Sequence, residues 1–411
     1  MRAEIIAIGS ELLSPWRLDT NSLFITEHLN RAGIRVWRKT VIGDRFEDLK
    51  EAFSAALSQA DVVFCIGGLG PTKDDITREV VAAVLGRKLE VNDQALRQLE
   101  KRYARIGVAM TPNNLQQAMV PEGGEVMPNP NGTAPGLFIR DDNRLIFLLP
   151  GPPHELKAMV VDQVLGVIAR YHRASPLIYR HLKIASEGES RVDHLVSPIY
   201  QSYDEVETTI LASAGIVDLF FHWTQPGAPD RSGSVLEELT RRVKEVLGAS
   251  VYAEGEQSLE AVTGRLLREQ GKTLATAESC TGGFLGKMIT DVSGSSDYYL
   301  GGMITYGNRA KCEWLGIDGG LIERHGAVSP EVAEAMAARV RTLAGADFGL
   351  STTGIAGPTG GTAEKPVGLI YIGIADAGGS EARRLQLPGD REIVRLRSAR
   401  MAIDWLRRRL L

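Results

Sequence analysis

Residues 61–70 read DVVFCIGGLG, a continuous apolar run that ends in a glycine-rich turn. A run of this kind, followed by a helical pattern, predicts a strand buried on both faces of a sheet. Strands and helices alternate on its amino-terminal side, in the order Ile5–Ile8, Asn21–Ala32, Ile34–Val41 and Phe46–Gln59. Strands that alternate with helices of about 10–15 residues predict βαβ units and a parallel sheet.

The same alternation continues to a strand at Leu145–Leu149 and a closing helix at His154–Ala169, so we expect residues 1–170 to form one α/β domain. Residues 171–253 have a different pattern of predicted strands and helices. We expect a small α+β unit there that serves as a spacer or dimerising module. The α/β pattern returns over residues 254–411. The predicted fold class is α/β, with two α/β domains joined by a small α+β domain.

Composition limits the classes of function. The 411-residue chain has a net charge of −4, which argues against direct binding of nucleic acid, because phosphate neutralisation needs a basic surface. Three widely separated cysteines fit a reducing compartment and exclude a cysteine-based zinc module. The sequence contains no apolar run of about 18 residues, and it opens on a strand-like run rather than a signal pattern. We therefore expect a cytoplasmic protein without a membrane span.

The first candidate site is the turn GGLGPTKDD at residues 67–75. Glycines at the carboxyl end of a strand, beside a helix amino terminus, let backbone N–H groups approach an anion, so Gly68, Gly70 and Thr72 are predicted to bind substrate. Asp74 and Asp75 could hold a divalent ion, as a pyrophosphate substrate would require. The alternative is a plain glycine turn in which Asp75 caps the next helix.

Other polar loops follow strand ends in the same half of the chain. Glu11 comes directly after the first strand, the loop Asn131-Gly132-Thr133 is too long and polar for a simple hairpin, and residues 150–155 end another strand. Such loops meet at one edge of a parallel sheet. We therefore predict one shared pocket, with Glu11 as a further metal ligand and Asn131, Gly132 and Thr133 as substrate-binding residues.

The second candidate site is the loop AESCTGG at residues 277–283. The Ser279 and Thr281 hydroxyls and the amides of Gly282 and Gly283 would suit a phosphate or a carboxamide at a helix start. An ordinary helix cap is the alternative. Cys280 is an alternative nucleophile, although a buried and inert cysteine is common.

A serine, a tyrosine and a lysine follow within a short span, at Ser296, Tyr306 and Lys311. A hydroxyl is a weak nucleophile until a base takes its proton, and a lysine with a lowered pKa can be that base. We predict Ser296 as the nucleophile, Lys311 as the base and Tyr306 as a proton relay, with Ser295 beside them. Ser295, Ser279 and Thr281 remain open as alternative nucleophiles, and a surface lysine is the ordinary alternative for Lys311.

A third loop, GIAGPTGG at residues 354–361, is dense in glycine and can form a nest of N–H groups for an anion. We therefore predict that Gly354 and Gly357 contact substrate, with a flexible turn as the alternative. Arg391 opens the last helix and offers a fork-shaped cation suited to phosphate.

Together these motifs resemble a known family. Residues 9–21, 67–77, 131–136 and 149–159 look like the molybdopterin-binding-like domain of CinA-type (competence/damage-inducible) proteins. Residues 277–283, 294–296, 302–311, 325–329, 353–361, 365–368 and 389–391 resemble the C-terminal CinA domain, which is similar to nicotinamide-nucleotide amidohydrolases. The resemblance covers nearly the whole chain.

The resemblance implies a bifunctional hydrolase of pyridine-nucleotide salvage. The C-terminal domain would convert nicotinamide mononucleotide to nicotinate mononucleotide and ammonia without a metal. Ser279, Thr281 and Arg391 would bind the ribose phosphate, and N–H groups near Gly283 or Gly357 would hold the oxyanion. The N-terminal domain would hydrolyse ADP-ribose with a divalent metal. We also expect a homodimer, for which the strand Ile216–Trp223 could be either a contact or an interior strand. The alternative function is a non-catalytic pterin- or nucleotide-binding or recruitment protein linked to competence and DNA uptake.

Overall fold

The apolar run at residues 62–66 forms a strand in the middle of a six-stranded sheet, and its alternate side chains enter two cores. Val62, Phe64 and Ile66 face one hydrophobic core, while Val63 and Cys65 face the other. A computed structural model describes residues 1–171, 178–225 and 229–411. The chain divides into two units, Met1–Leu177 and Ile178–Leu411.

The first unit contains eight strands and six α-helices within its described residues. The strands are β1 (Arg2–Ile8), β2 (Arg35–Ile42), β3 (Val62–Ile66), β4 (Leu89–Val91), β5 (Met119–Pro121), β6 (Glu125–Met127), β7 (Gly136–Asp141) and β8 (Arg144–Leu149). The α-helices are α1 (Asn21–Arg31), α2 (Phe46–Gln59), α3 (Thr77–Leu85), α4 (Asp93–Ile106), α5 (Pro153–Met159) and α6 (Leu165–Tyr171). Short 3₁₀ helices span Ser10–Leu13 and Pro112–Ala118, and a π-helical turn, Val160–Val164, joins α5 to α6.

The main sheet of this unit has the order β2-β1-β3-β8-β7-β6. The first four strands are parallel, as predicted, but β7 and β6 run antiparallel to their neighbours, so the expectation of a wholly parallel sheet is wrong. The chain reverses direction in a tight turn between Asp141 and Arg144, and these two residues pair with each other in the β7–β8 ladder. The carboxyl ends of β1, β3 and β8 meet at one edge, where the polar loops lie.

The second unit contains nine strands and eight α-helices within its described residues. The strands are β9 (Tyr179–Ala185), β10 (Val206–Ser213), β11 (Ile216–Trp223), β12 (Val251–Glu254), β13 (Leu274–Glu278), β14 (Tyr299–Ile304), β15 (Phe348–Gly354), β16 (Leu369–Asp376) and β17 (Gly379–Gln386). The α-helices are α7 (Glu189–Tyr200), α8 (Pro229–Leu247), α9 (Leu259–Glu269), α10 (Phe284–Thr290), α11 (Asn308–Glu313), α12 (Gly319–His325), α13 (Pro330–Ala344) and α14 (Arg391–Arg409). Short 3₁₀ helices span Gly248–Ser250 and Ser295–Asp297.

The smaller sheet of this unit is antiparallel, in the order β10-β11-β9-β12. Strand β11 is hydrogen-bonded on both sides, to β10 and to β9, so Ile216–Trp223 is an interior strand and offers no free edge to a second copy. The predicted domain boundary at 253/254 falls within β12, whose Tyr252 and Ala253 are buried with residues of the C-terminal core.

The larger sheet has the order β14-β13-β15-β16-β17, with β14, β13 and β15 parallel and the last two strands antiparallel. Strand β13 is buried along its whole length because both faces are covered. Leu274 enters the core that contains α14, whereas Ala275 and Ala277 enter the core that contains α13. The parallel strands β13 and β14 end side by side, and the next residues of each form the site described below. Among the described residues, no helix is both long and apolar enough to cross a bilayer.

Candidate active site

Ser279 and Lys311 meet at the carboxyl edge of the larger sheet. Ser279 is the first residue after β13, and Lys311 lies on the short helix α11 that follows β14. The Lys311 Nζ atom lies 2.9 Å from the Ser279 Oγ atom. Only 1% of Lys311 and 8% of Ser279 are exposed, so the contact is shielded from bulk water. Ser279 was among the alternatives that the sequence left open, and the structure places it, of all the candidate hydroxyls, against the predicted base.

The environment of Lys311 makes its side chain easier to deprotonate than that of an exposed lysine. Its Nζ atom also lies 2.9 Å from the carbonyl oxygen of Thr305 and 3.2 Å from that of Tyr306. Burial lowers the pKa of Lys311, and its Nζ atom has no carboxylate partner among the described residues that would restore the charge. A neutral amine has two N–H bonds and one lone pair. In the structure the Nζ atom donates to the two carbonyl oxygens and to the Ser279 Oγ atom, while the Ser279 hydroxyl donates to the Tyr306 carbonyl oxygen at 3.4 Å. Deprotonation of the ammonium would leave a lone pair that can accept the Ser279 proton.

The predicted pairing of Ser296 with Lys311 is wrong. Ser295 and Ser296 lie on the 3₁₀ helix before β14, at the edge of the sheet where β13 also begins. Lys311 follows the opposite end of the six-residue strand β14. A strand of that length spans about 17 Å, so the Ser296 hydroxyl cannot reach the Lys311 amine. Ser296 is exposed at a turn.

The amide groups at the start of α10 are occupied by a buried carboxylate. Glu278 is 2% exposed, and its side chain accepts the N–H groups of Gly283 at 2.9 Å, Leu285 at 3.0 Å and Gly286 at 2.7 Å. These are the groups that would otherwise bind an anion at a helix amino terminus. The expectation that the Gly283 amide holds an oxyanion or phosphate is therefore wrong.

The other residues of the loop at 277–283 have different surroundings. The Thr281 hydroxyl is fully buried and lies 2.6 Å from the Thr352 hydroxyl. The prediction that this hydroxyl binds substrate is therefore wrong. Gly282 donates its N–H to the Ser279 carbonyl oxygen. Burial raises the pKa of the Cys280 thiol to about 12, which makes it a poor nucleophile. Within the described part of the chain, the Thr281 N–H donates to no backbone acceptor and the Cys280 N–H contacts only its own sulfur; both residues closely follow Ser279 in the chain.

Two arginines of α14 reach the loops around Ser279. Arg391 donates to the Gly357 carbonyl oxygen at 2.8 Å and to the Tyr306 hydroxyl at 2.9 Å. Arg395 donates to the Thr281 carbonyl oxygen at 3.2 and 2.5 Å. Neither arginine forms an ion pair with an acid among residues 1–171, 178–225 and 229–411. The site thus carries two cations whose partners are neutral.

Tyr306 and the third glycine loop differ in part from the predictions. The Tyr306 side chain is 60% exposed and its hydroxyl lies on Arg391, while its backbone carbonyl contacts Lys311. The hydroxyl is therefore not a proton relay between Ser279 and Lys311. A Cβ atom at Gly354 would lie 2.3 Å from the Ile370 Cδ1 atom, so Gly354 is required for packing against β16. Gly357 has a φ of +78° and presents its carbonyl to Arg391.

In the first unit, the loops at the sheet edge surround a cavity of about 310 Å³, here called the glycine cavity. The residues that line it include the predicted Glu11, Gly68, Gly70, Asp74, Asp75 and Thr133, together with Asp44, Gln117 and Glu155. The predicted residues Thr72, Asn131 and Gly132 do not line it. The Thr72 amide and hydroxyl both bond to Asp75, and the Asn131 side chain bonds to the His154 carbonyl oxygen.

The family models match both halves of the chain. A model described as the CinA C-terminal domain matches residues 256–410, and one described as a probable molybdopterin binding domain matches residues 4–170. A CinA-like protein of Koribacter versatilis is 43% identical over 415 residues, which covers 100% of both chains. A CinA-like protein of Solibacter usitatus is 44% identical and covers 100% of this chain and 98% of its own. The chain belongs to the CinA family. A solved CinA structure of unknown function from Thermoplasma acidophilum is 34% identical over 41% of this chain and 98% of its own, with a TM-score of 0.38.

The glycine cavity of this CinA protein offers oxygen donors of the kind that a hard divalent cation prefers, but they do not form a closed cage. Among the described residues, no three acidic, histidine or cysteine side chains converge on one point. Asp75 is engaged by Thr72, whereas Asp74 is fully exposed, and a hydrogen bond from Thr72 lowers the pKa of the Asp74 carboxyl. Magnesium sites of this open type take one or two carboxylates and complete their shell with water and substrate phosphates.

Two functional side chains of this CinA protein escaped the sequence analysis. Glu278 directly precedes Ser279, but a glutamate at a strand end carries no pattern that predicts a buried cap. Gln117 is 1% exposed, and its Nε2 atom donates to the Thr133 hydroxyl at 3.1 Å. Its Oε1 atom is buried without a partner among the described residues, and Gln117 lines the glycine cavity. A buried acceptor without a donor is costly, so a ligand N–H, water or cation at this position would relieve it.

Proposed function

We propose that the C-terminal domain hydrolyses the carboxamide of nicotinamide mononucleotide, with Ser279 as the nucleophile and Lys311 as the base. The single observation that carries the proposal is the buried contact of 2.9 Å between the Lys311 Nζ and Ser279 Oγ atoms. A nucleophile hydrogen-bonded to a base of lowered pKa is the arrangement that activates a hydroxyl for acyl transfer. This assignment replaces Ser296 with Ser279 and keeps the predicted base.

The reaction follows from the two side chains. The Ser279 hydroxyl proton passes to the Lys311 Nζ atom as the Oγ atom forms a bond to the amide carbon. The N–H groups of Cys280 and Thr281 are the proposed donors to the oxygen of the tetrahedral intermediate. The Lys311 ammonium then returns its proton to the amide nitrogen, and the C–N bond breaks to release ammonia. Water, deprotonated by the neutral Lys311, cleaves the remaining ester and restores Ser279.

The two arginines support an anionic substrate. Arg391 and Arg395 donate hydrogen bonds only to neutral oxygens, and the Arg395 guanidinium also lies over the Phe284 ring. A phosphate would supply the missing negative charge, and the arginine fork matches two of its oxygens. A nucleotide satisfies this requirement, whereas free nicotinamide does not. The nicotinamide group itself rests on the resemblance of the C-terminal motifs to nicotinamide-nucleotide amidohydrolases.

The test is ammonia release from nicotinamide mononucleotide by the full chain in the presence of EDTA. We expect turnover in the wild type, and a fall in kcat of at least about 10³-fold in Ser279→Ala, because the nucleophile is lost. Ser296→Ala is the matched control and should keep wild-type activity. Normal activity in Ser279→Ala would transfer the reaction to another group. Absence of turnover in folded wild-type protein would refute the amidase.

We further propose that the N-terminal domain hydrolyses the pyrophosphate of ADP-ribose with a divalent metal. The glycine cavity supports this second activity, since it combines open glycine-rich backbone with the carboxylates of Glu11 and Asp74. The bound metal would supply Lewis-acid polarisation of a phosphate oxygen. Glu11 and Asp74 would hold the ion, and Gln117, which lines the same cavity, would offer its Oε1 atom to a water or a ligand N–H.

Asp74→Asn should abolish release of AMP from ADP-ribose and leave ammonia release from nicotinamide mononucleotide intact. Asp142→Asn is a matched control, because this aspartate lies in the turn between β7 and β8 and does not line the cavity. If Asp74→Asn keeps the pyrophosphatase activity, the metal site lies elsewhere. If the wild type binds a pterin in competition with ADP-ribose but never cleaves the latter, the domain is a binding module.

A further inference from the structure

A second cavity lies beside the glycine cavity, between helix α4 and the loop Pro128–Pro135. Its volume is about 240 Å³. Three cations line one side, Lys101, Arg102 and Arg105, and none of the lining residues is acidic. We call this the cationic cavity. Two predicted substrate-binding residues, Gly132 and Thr133, line it, but neither of the two proposed reactions makes use of its cations.

The cations have unequal roles. Arg102 donates to the carbonyl oxygens of Pro130 and Asn131, both at 3.1 Å, and so fixes the loop against the helix. Lys101 and Arg105 form no hydrogen bond or ion pair with any residue that the structure describes. Their charges are therefore available to a ligand, at a wall that Arg102 holds in place.

Helix position alone does not account for this arrangement. Cations near the end of a helix are often favoured by the helix dipole, and that would explain charged side chains directed into open solvent. Here the cations share a concave space with Pro128, Pro130 and Pro135. An apolar wall opposite two unpaired cations suits a nucleoside whose base packs on the prolines and whose phosphate meets the charges.

The two cavities share a wall. Thr133 lines both of them. Asn129 lines the cationic cavity, and its Nδ2 atom donates at 2.6 Å to Glu155, which lines the glycine cavity. The Asn129–Thr133 segment therefore separates the two cavities by the thickness of one loop, and a ligand that reaches from one to the other would cross it.

We propose that the cationic cavity holds the phosphorylated nucleoside end of the ligand whose pyrophosphate occupies the glycine cavity. The N-terminal domain would then prefer a nucleotide pyrophosphate with an additional phosphomonoester. The same molecule without that phosphomonoester would be a poorer substrate. The proposal rests on the pyrophosphatase function proposed above. It adds a substrate class, and it assigns specificity to Lys101 and Arg105.

The experiment compares ADP-ribose with ADP-ribose 2′-phosphate on the full chain, in the presence of a divalent metal that supports turnover. The two probes differ by one phosphomonoester. We expect kcat/KM to be roughly ten-fold higher for the phosphorylated probe, through KM, because one phosphate gains two charge-assisted contacts. The preference should shrink as salt is added. In Lys101→Met/Arg105→Gln, the ratio of the two kcat/KM values should fall to about one.

Lys88→Met/Arg97→Gln is the matched control. It removes the same two charges from exposed positions outside the cavity, and it should retain the preference. Equal kcat/KM values in the wild type overturn the proposal while leaving the pyrophosphatase intact. A preference that survives in Lys101→Met/Arg105→Gln overturns it as well. If the wild type cleaves neither probe with any divalent metal, the pyrophosphatase function fails and the substrate preference fails with it.

Discussion

Replacement of Lys311 by methionine tests the centre of the amidase proposal. Methionine keeps the length and apolar stem of lysine but removes the Nζ atom. The other oxygen near the Ser279 Oγ atom is the Tyr306 carbonyl, at 3.4 Å, and a carbonyl cannot serve as the base. General-base catalysis is worth about 10²–10⁴-fold. Because no second base contacts Ser279 in the described residues, we expect a loss near the upper end, about 10⁴-fold in kcat.

The variant should remain folded. The Nζ atom satisfies the carbonyl oxygens of Thr305 and Tyr306, and an unsatisfied buried acceptor costs about 1–3 kcal/mol. Relief from burying an amine offsets part of that cost. We therefore expect the free energy of unfolding to fall by no more than about 3 kcal/mol, which thermal denaturation would measure.

The pH dependence of kcat/KM and of the free energy of unfolding tests the role of Lys311 independently. Burial lowers the pKa of Lys311, so the amine is neutral and able to accept a proton only above that lowered pKa. We expect kcat/KM of the wild type to fall as the pH drops through it. The unfolded chain binds this proton up to about pH 10.4, so the free energy of unfolding should rise with pH between the two pKa values. Lys311→Met should lack both effects.

The assay measures ammonia release at about pH 5–10, and the denaturation of each protein is measured over the same range. Retained kcat in Lys311→Met, or an unchanged acidic limb of its pH profile, would refute Lys311 as the base. Lys311→Arg is a control for the loss of the lysine's hydrogen bonds, because arginine keeps the donors but does not deprotonate. It should be folded and inactive, and an active Lys311→Arg would likewise contradict the mechanism.

Glu278→Gln should lower the free energy of unfolding by about 2–4 kcal/mol, because an amide offers one acceptor oxygen to three N–H groups and turns its own N–H₂ toward them; an unchanged melting temperature would contradict the capping role. Arg391→Gln should raise KM for nicotinamide mononucleotide by roughly ten-fold and leave turnover of nicotinamide riboside unchanged. Equal effects on both substrates would show that Arg391 does not hold the phosphate. Gly354→Ala should destabilise the fold by about 1–3 kcal/mol, since the new Cβ atom would lie 2.3 Å from Ile370 Cδ1 and 2.7 Å from the Leu369 carbonyl oxygen. Calorimetry that finds no destabilisation would show that β16 can yield at this position.

The elements that could be predicted are those whose apolar pattern is strong. The run DVVFCI forms β3 because both of its faces are buried, and Ile216–Trp223 forms β11 with the predicted bounds. Strand β17 escaped prediction because it reads GSEARRLQ and most of its side chains are exposed, so no apolar period marks it. Strand β7 was missed because the glycine at its start was read as the end of a polar turn.

The error over the nucleophile has a topological cause. Ser296 is nearer to Lys311 in sequence than Ser279 is, and sequence distance favoured it. Ser279 and Lys311 both follow the carboxyl ends of strands, whereas Ser296 precedes the start of one. Because β13 and β14 are parallel neighbours, groups after their ends meet, and groups before their starts lie a full strand length away. The parallel-sheet rule, applied to each candidate, would have selected Ser279.

The buried carboxylate of Glu278 decides how the site can recognise a phosphate. A helix amino terminus after a strand would normally attract the phosphate through its backbone, without regard to side chains. Here Glu278 already occupies that position and places negative charge beneath the Ser279 loop. In the proposed reaction, a substrate phosphate would instead be held by the side chains of Arg391 and Arg395, which reach the surrounding loops from α14. Recognition then depends on side-chain charge, so added salt should raise KM for the nucleotide more than for the riboside, which lacks the phosphate.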